Sequence, residues 1–160
     1  MAKQAYKKPN TYTPSNPTAL STQRLAKMFA PISNQAEQDP FHKIKKRLDY
    51  LSTLQNGWYD GTQGISLDIK GLADLSNAFF VRYDPTLPLP ALYPTLDGKV
   101  QAEWSLPKYE LSITFNILDK TASYQFLVLA TDETEEGNLN FKNRMDWKTI
   151  NTLLRNYIAS

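Results

Sequence analysis

Cysteine is absent from the chain, and histidine occurs once, as His42. The first absence excludes disulfides, thiolate nucleophiles and cysteine-ligated zinc. The second leaves no material for a Ser-His-Asp triad with a spare base or for a histidine-built metal site. No apolar run approaches the ~18 residues that a membrane-spanning helix requires, so no membrane association is expected. The opening stretch MAKQAYKKPNTYTPSNPT carries charge but no apolar segment, which predicts no secretory signal. A cysteine-free chain fits a reducing compartment, and a cytoplasmic location is the expectation. This composition predicts a non-enzymatic protein with no catalytic residue, cofactor or metal.

What is present is 160 residues, 41% of them hydrophobic, enough for one domain with a modest core and an appended tail. The net charge is only +2, but it is unevenly placed. Up to Arg47 there are nine basic residues and two acids, Glu37 and Asp39, a balance of +7. The remainder carries nine basic and fourteen acidic residues, a balance of −5. A basic front on an acidic body suggests nucleic-acid binding, an acidic protein partner, or docking of one part on the other.

Residues 1–38 read as a flexible, basic arm, with Pro9, Pro14, Pro17 and Pro31 set among Ser, Thr, Asn and Gln. LSTQRLAKMFAPI interrupts it with the pattern of a short helix over residues 21–30. Arg24, Lys27, Met28 and Phe29 are candidate partner-binding residues there, as a linear motif that folds on contact. The alternative is residual local order without a role.

A single α+β domain is expected over residues 39–160. Phe41, Ile44, Leu48, Leu51 and Leu54 recur at helical spacing, with Asp39 as cap, Pro40 in the first turn and Gly57 at the end. A second helix reads from a Ser66 cap to Pro85, with Ile69, Leu72, Leu75, Phe79 and Phe80 inward. The period then changes to two. PTLPLPALYPT reads as a stiff crossover, or as a polyproline-type ligand. A hairpin turns at Asp97-Gly98. Strands follow through Val100–Leu106, Tyr109–Ile117 and Tyr124–Ala130. Leu127 and Leu129 on the opposite face of the last strand suggest that it is covered on both sides. DETEEGN reads as a loop leading to a short strand at LNF, and a final helix buries Trp147, Ile150, Leu153, Leu154, Tyr157 and Ile158. The layout is two N-terminal helices, a three- or four-stranded antiparallel meander, and a C-terminal helix packed on one sheet face.

GWYDGTQGIS, PLPALYPTLDGKVQAEWS and YELSITFNIL together resemble a family of small bacterial proteins. Its pattern runs G-W-x-D-G-x-G, then a helix, then P-L-P-x-x-Y-P-T-x-x-G-x-V-Q-x-E-W-S. The resemblance covers about residues 50 to 130 and leaves the basic front outside. It implies no established activity, and it points to mobile-element-like and toxin–antitoxin-like settings. The segment DGTQG is one residue longer than the family form, which alters any site on that loop.

Two further sets of candidates emerge. Lys43, Lys45, Lys46 and Arg47 put a basic stripe on the outer face of the first helix, which is either solvated or a contact for nucleic acid or an acidic protein. Trp58, Asp60 and Glu103 are candidates for a shared pocket in which two carboxylates beside an aromatic do acid–base work or hold a cation. The alternative makes Asp60 a turn residue and Glu103 part of a polar sheet face. The leading expectation is a protein-interaction module, antitoxin-like or inhibitor-like, whose arm orders on a protein partner. The alternatives are a nucleic-acid accessory protein using the basic N-terminal region, and a small-ligand binder or enzyme at the Trp58/Asp60 loop.

Overall fold

The structure is a computed structural model and describes residues 39–159. The expected arm, its short helix, and Arg24, Lys27, Met28 and Phe29 lie outside the described residues. Three helices and five strands follow one another: α1 (Phe41–Leu51), α2 (Ile69–Arg82), β1 (Ala91–Pro94), β2 (Val100–Ser105), β3 (Tyr109–Asn116), β4 (Thr121–Val128), β5 (Glu133–Asn140) and α3 (Arg144–Ile158). The strands form one antiparallel meander in sequence order. The α+β layout expected from the change of period is therefore present, with one strand more than expected.

That strand is β5, of which the sequence predicts only a short piece at LNF; the preceding ETEEGN has no alternation and reads as loop. Pairing decides it: β5 is in register with all of β4, from Thr121 opposite Asn140 to Val128 opposite Glu133. As an edge strand it exposes its glutamates to water, where charge also discourages edge-to-edge association. Gly137 stands opposite Tyr124, and a Cβ there would meet the tyrosine ring at 2.4 Å. The bare glycine lets the ring lie across it, and Tyr124 Oη then donates to Glu135 at 2.9 Å.

Helix boundaries also differ from the sequence reading. Helix α1 stops at Leu51, six residues before Gly57. The Ser52 and Thr53 hydroxyls donate to the carbonyls of Asp49 and Tyr50, offering the backbone an alternative to another helical turn. Asp39 does hold the start, accepting from Phe41 N at 2.9 Å. Helix α2 is capped by Asp68, which accepts from Gly71 N at 2.6 Å, rather than by Ser66. Ile69 is then the first helical residue and is exposed, as is Phe80. Leu72, Leu75, Ala78 and Phe79 fill the buried arc of the helix, and Phe80, about 100° further round from Phe79, falls outside it. On α3, Trp147, Ile150 and Leu154 are buried, Leu153 and Tyr157 are half-buried, and Ile158 is exposed.

The core lies between the helices and one sheet face. Val100, Ala102 and Trp104 of β2, and Leu111, Ile113 and Phe115 of β3, point inward. Phe79 and Phe115 meet Trp147, at 5.0 and 6.1 Å between ring centres. The proline-rich crossover packs onto this core: Leu87 and Pro90 are buried, and the Pro88 carbonyl accepts from Trp104 Nε1 at 2.9 Å. No described element covers the opposite sheet face, so the expectation that β4 is covered on both sides fails. Leu127 is half-buried, and Leu129 lies past the strand's end and is exposed. No described helix is long and apolar enough to cross a membrane.

Candidate interaction surface

The loop between α1 and α2 is built by its glycines and its carboxylate. Gly57, Gly61 and Gly64 all have positive φ, and Gly57 and Gly64 join through a backbone hydrogen bond of 2.7 Å. Gly64 is needed twice over, because a Cβ there would sit 2.5 Å from Trp58 Nε1. Trp58 therefore packs half-buried against its own loop, and its Nε1 donates to the Ile65 carbonyl at 3.2 Å. Asp60 Oδ1 accepts from the Thr62 and Gln63 amides, at 2.8 and 2.6 Å, and from the Thr62 hydroxyl. These donors hold its carboxyl below the ordinary carboxylate range. They favour the charged form, the opposite of what a proton-donating carboxyl needs near neutrality.

Glu103 sits elsewhere, exposed on the uncovered sheet face, where it accepts from Gln101 Nε2 at 2.9 Å. No hydrogen bond joins it to Trp58 or Asp60. Around it the face is polar. Gln101 also donates to Ser112, and Gln125 donates to Glu136 at 3.0 Å. A shallow groove of about 450 Å³ runs over Gln101, Ser112, Thr114, Ser123 and Gln125 toward Asn138.

The basic stripe of α1 is divided in its use. Lys45 pairs with Asp49 at 2.6 Å. Arg47 Nε donates to the Leu92 carbonyl at 2.8 Å, occupying an outward-facing group of edge strand β1, and its guanidinium lies over the Tyr50 ring. Lys43 and Lys46 are exposed and carry no pairing among the described residues. Lys43 and Arg47 flank a groove of about 510 Å³ against Leu89–Leu92.

A larger feature escaped the sequence reading. Between the end of α2 and the length of α3 lies a groove of about 840 Å³, lined by Val81, Arg82, Arg144, Met145, Lys148, Asn151, Thr152 and Arg155. Two of its four cations are held internally. Arg82 Nη1 donates to the Phe141 carbonyl at 3.2 Å, and Arg155 pairs with Asp84 at 2.5 Å. Thr86 and Arg155 together hold the Asp84 carboxyl below its ordinary range. Arg144 and Lys148 are exposed and have no partner among the described residues. Asp146, between them in sequence, is turned to Asn140 N at 2.6 Å. Beside the cations, Val81 and Met145 are 64% and 61% exposed, and Phe80, next on α2, is 63% exposed. The sequence signal was present in the four-residue step from Arg144 to Lys148. It was masked because the charge excess lies at the other end of the chain.

Among the described residues no three His, Asp or Glu side chains converge as a metal site, and no buried side-chain polar atom lacks a partner. Comparisons with protein-family models, curated proteins and solved structures return no match to this chain, so the resemblance carried by residues 50 to 130 finds no counterpart there.

Proposed function

We propose that this chain is a non-enzymatic protein-interaction module whose body binds a partner protein through the outer surface of α2 and α3. One observation carries the reading: Val81 and Met145, each more than half exposed, line one groove, and Phe80, beside Val81 on α2 and edge-on to Phe41, is exposed to the same degree. Single exposed apolar residues are ordinary, whereas grouped ones beside a polar rim mark contact surfaces. The hydrogen bonds of Asp60 within its own turn and of Glu103 on the sheet face support a binding rather than a catalytic reading. A proline-rich arm that orders on contact, an antitoxin-like or inhibitor-like role, and a cytoplasmic setting belong to the same proposal and rest on the sequence.

The test is co-purification of the tagged full chain from its own host, with and without nuclease, beside the variant Phe80→Ser/Val81→Ser. One stoichiometric protein retained by the wild type and lost by the folded variant is the expected result. Nuclease-sensitive nucleic acid in place of a protein would overturn the reading.

A further inference from the structure

We infer that the groove between α2 and α3 takes an acidic peptide segment of the partner, carboxylates on Arg144 and Lys148 and apolar side chains on Val81 and Met145. The inference rests on the interaction reading above and names the chemistry of its site.

Three observations lead to it. The first is placement. Arg144 is the first residue of α3 and Lys148 lies one turn on. The positive end of the helix dipole disfavours cations there, and like charges four residues apart repel. Asp146 complements the dipole from the same turn but accepts from Asn140 N and Asn143 Nδ2, and neither cation has an ion pair among the described residues, so both are open to an anion. The second is division of labour. Arg82 and Arg155 are fixed by Phe141 O and Asp84, so they shape the groove wall, while Arg144 and Lys148 remain available. The third is the mixed lining. A groove of about 840 Å³ with an exposed methionine and valine exceeds what one small anion fills, and methionine adapts to varied apolar side chains.

A peptide is favoured over nucleic acid by the net charge of the body. Residues after Arg47 sum to −5, so the body as a whole repels a long polyanion more than a short acidic segment confined to the groove. The apolar side chains also have no use against a phosphate backbone.

The experiment pans a random linear-peptide library against the full chain and repeats it with Arg144→Glu/Lys148→Glu. The expected result is enrichment of peptides combining Asp or Glu with apolar residues. Their affinity should fall about tenfold or more in the charge-reversed variant, as the loss of charge-assisted hydrogen bonds requires. The variant should melt no lower than the wild type, which separates lost binding from lost fold. No enrichment, or acidic peptides indifferent to the reversal, overturns the inference. Oligonucleotide binding abolished by the reversal would assign the groove to nucleic acid instead. Self-association abolished both by the reversal and by Glu133→Lys would assign it to the acidic edge strand of a second copy. If the co-purified partner is lost with Phe80→Ser/Val81→Ser but retained with the charge reversal, the interaction reading stands and the acidic-segment inference falls.

Discussion

Trp104 stacks on Tyr83, with ring centres 6.3 Å apart and 28° between planes, and its Nε1 donates to the Tyr83 hydroxyl at 3.0 Å. The Tyr83 hydroxyl in turn donates to the Pro88 carbonyl, which also accepts from Trp104. One partly buried triangle thus ties the end of α2, the proline crossover and β2. Tyr83→Phe removes one donor and one acceptor from it. The expected loss is about 1–2 kcal/mol, measured by urea unfolding. Burial also raises the Tyr83 hydroxyl far above the usual tyrosine range. In an alkaline absorbance titration, one tyrosine present in wild type and missing from Tyr83→Phe should ionise only as the fold is lost.

Gly64 and Gly61 separate two kinds of glycine requirement within one loop. Both have positive φ, but a Cβ on Gly61 meets nothing within 4 Å, whereas one on Gly64 would overlap the Trp58 indole. Gly61→Ala should therefore cost about 1 kcal/mol for backbone strain alone. Gly64→Ala should cost more and shift Trp58 fluorescence, because the ring must leave its seat. Equal losses for the two variants would show that the indole contact is unimportant.

Reversing the free cations of α3 should stabilise the isolated protein. A glutamate at position 144 complements the N-terminal dipole, and removing the like-charge pair with Lys148 relieves repulsion. Arg144→Glu should raise stability by about 0.3–1 kcal/mol in a low-salt thermal melt, with the gain shrinking as salt is added. A destabilised variant would mean that Arg144 holds the fold together.

Acid should weaken the fold through its turn carboxylates. Asp60, Asp84 and Asp97 are each lowered from 3.8: Asp60 by the Gln63 and Thr62 amides, Asp84 by Thr86, and Asp97 by Lys99 and Thr95. A depressed folded-state value contributes stability that is present above the unfolded value and lost as pH falls through the folded one. The melting temperature should therefore hold steady from neutrality to about pH 5 and fall below the ordinary carboxylate range. Asp60→Asn should lower the plateau and flatten the acid limb.

The legible parts of this protein are those whose instructions are local. The three-and-four spacing of Phe41, Ile44, Leu48 and Leu51 named α1 and its buried face. The alternation through Val100, Ala102 and Trp104 named β2, and Asp97-Gly98 named the hairpin. In the loop, the reading of Asp60 as a turn residue could be argued from Asp-Gly chemistry alone, because its donors are two and three residues away.

What sequence could not decide depends on partners distant in the chain. The stretch ETEEGNLN becomes a strand because β4 offers it a ladder, not because its residues prefer one. Ile69 and Phe80 belong to the right helix but the wrong face, since Asp68 rather than Ser66 sets its first turn and Phe79 claims the core. The groove of Arg82, Arg144, Lys148 and Arg155 joins residues more than sixty positions apart, and only packing of α2 beside α3 assembles it. Composition and spacing determine which side chains can be buried and which turns can form. Tertiary structure alone decides which charges find partners, and here it leaves Arg144 and Lys148 without one among the described residues.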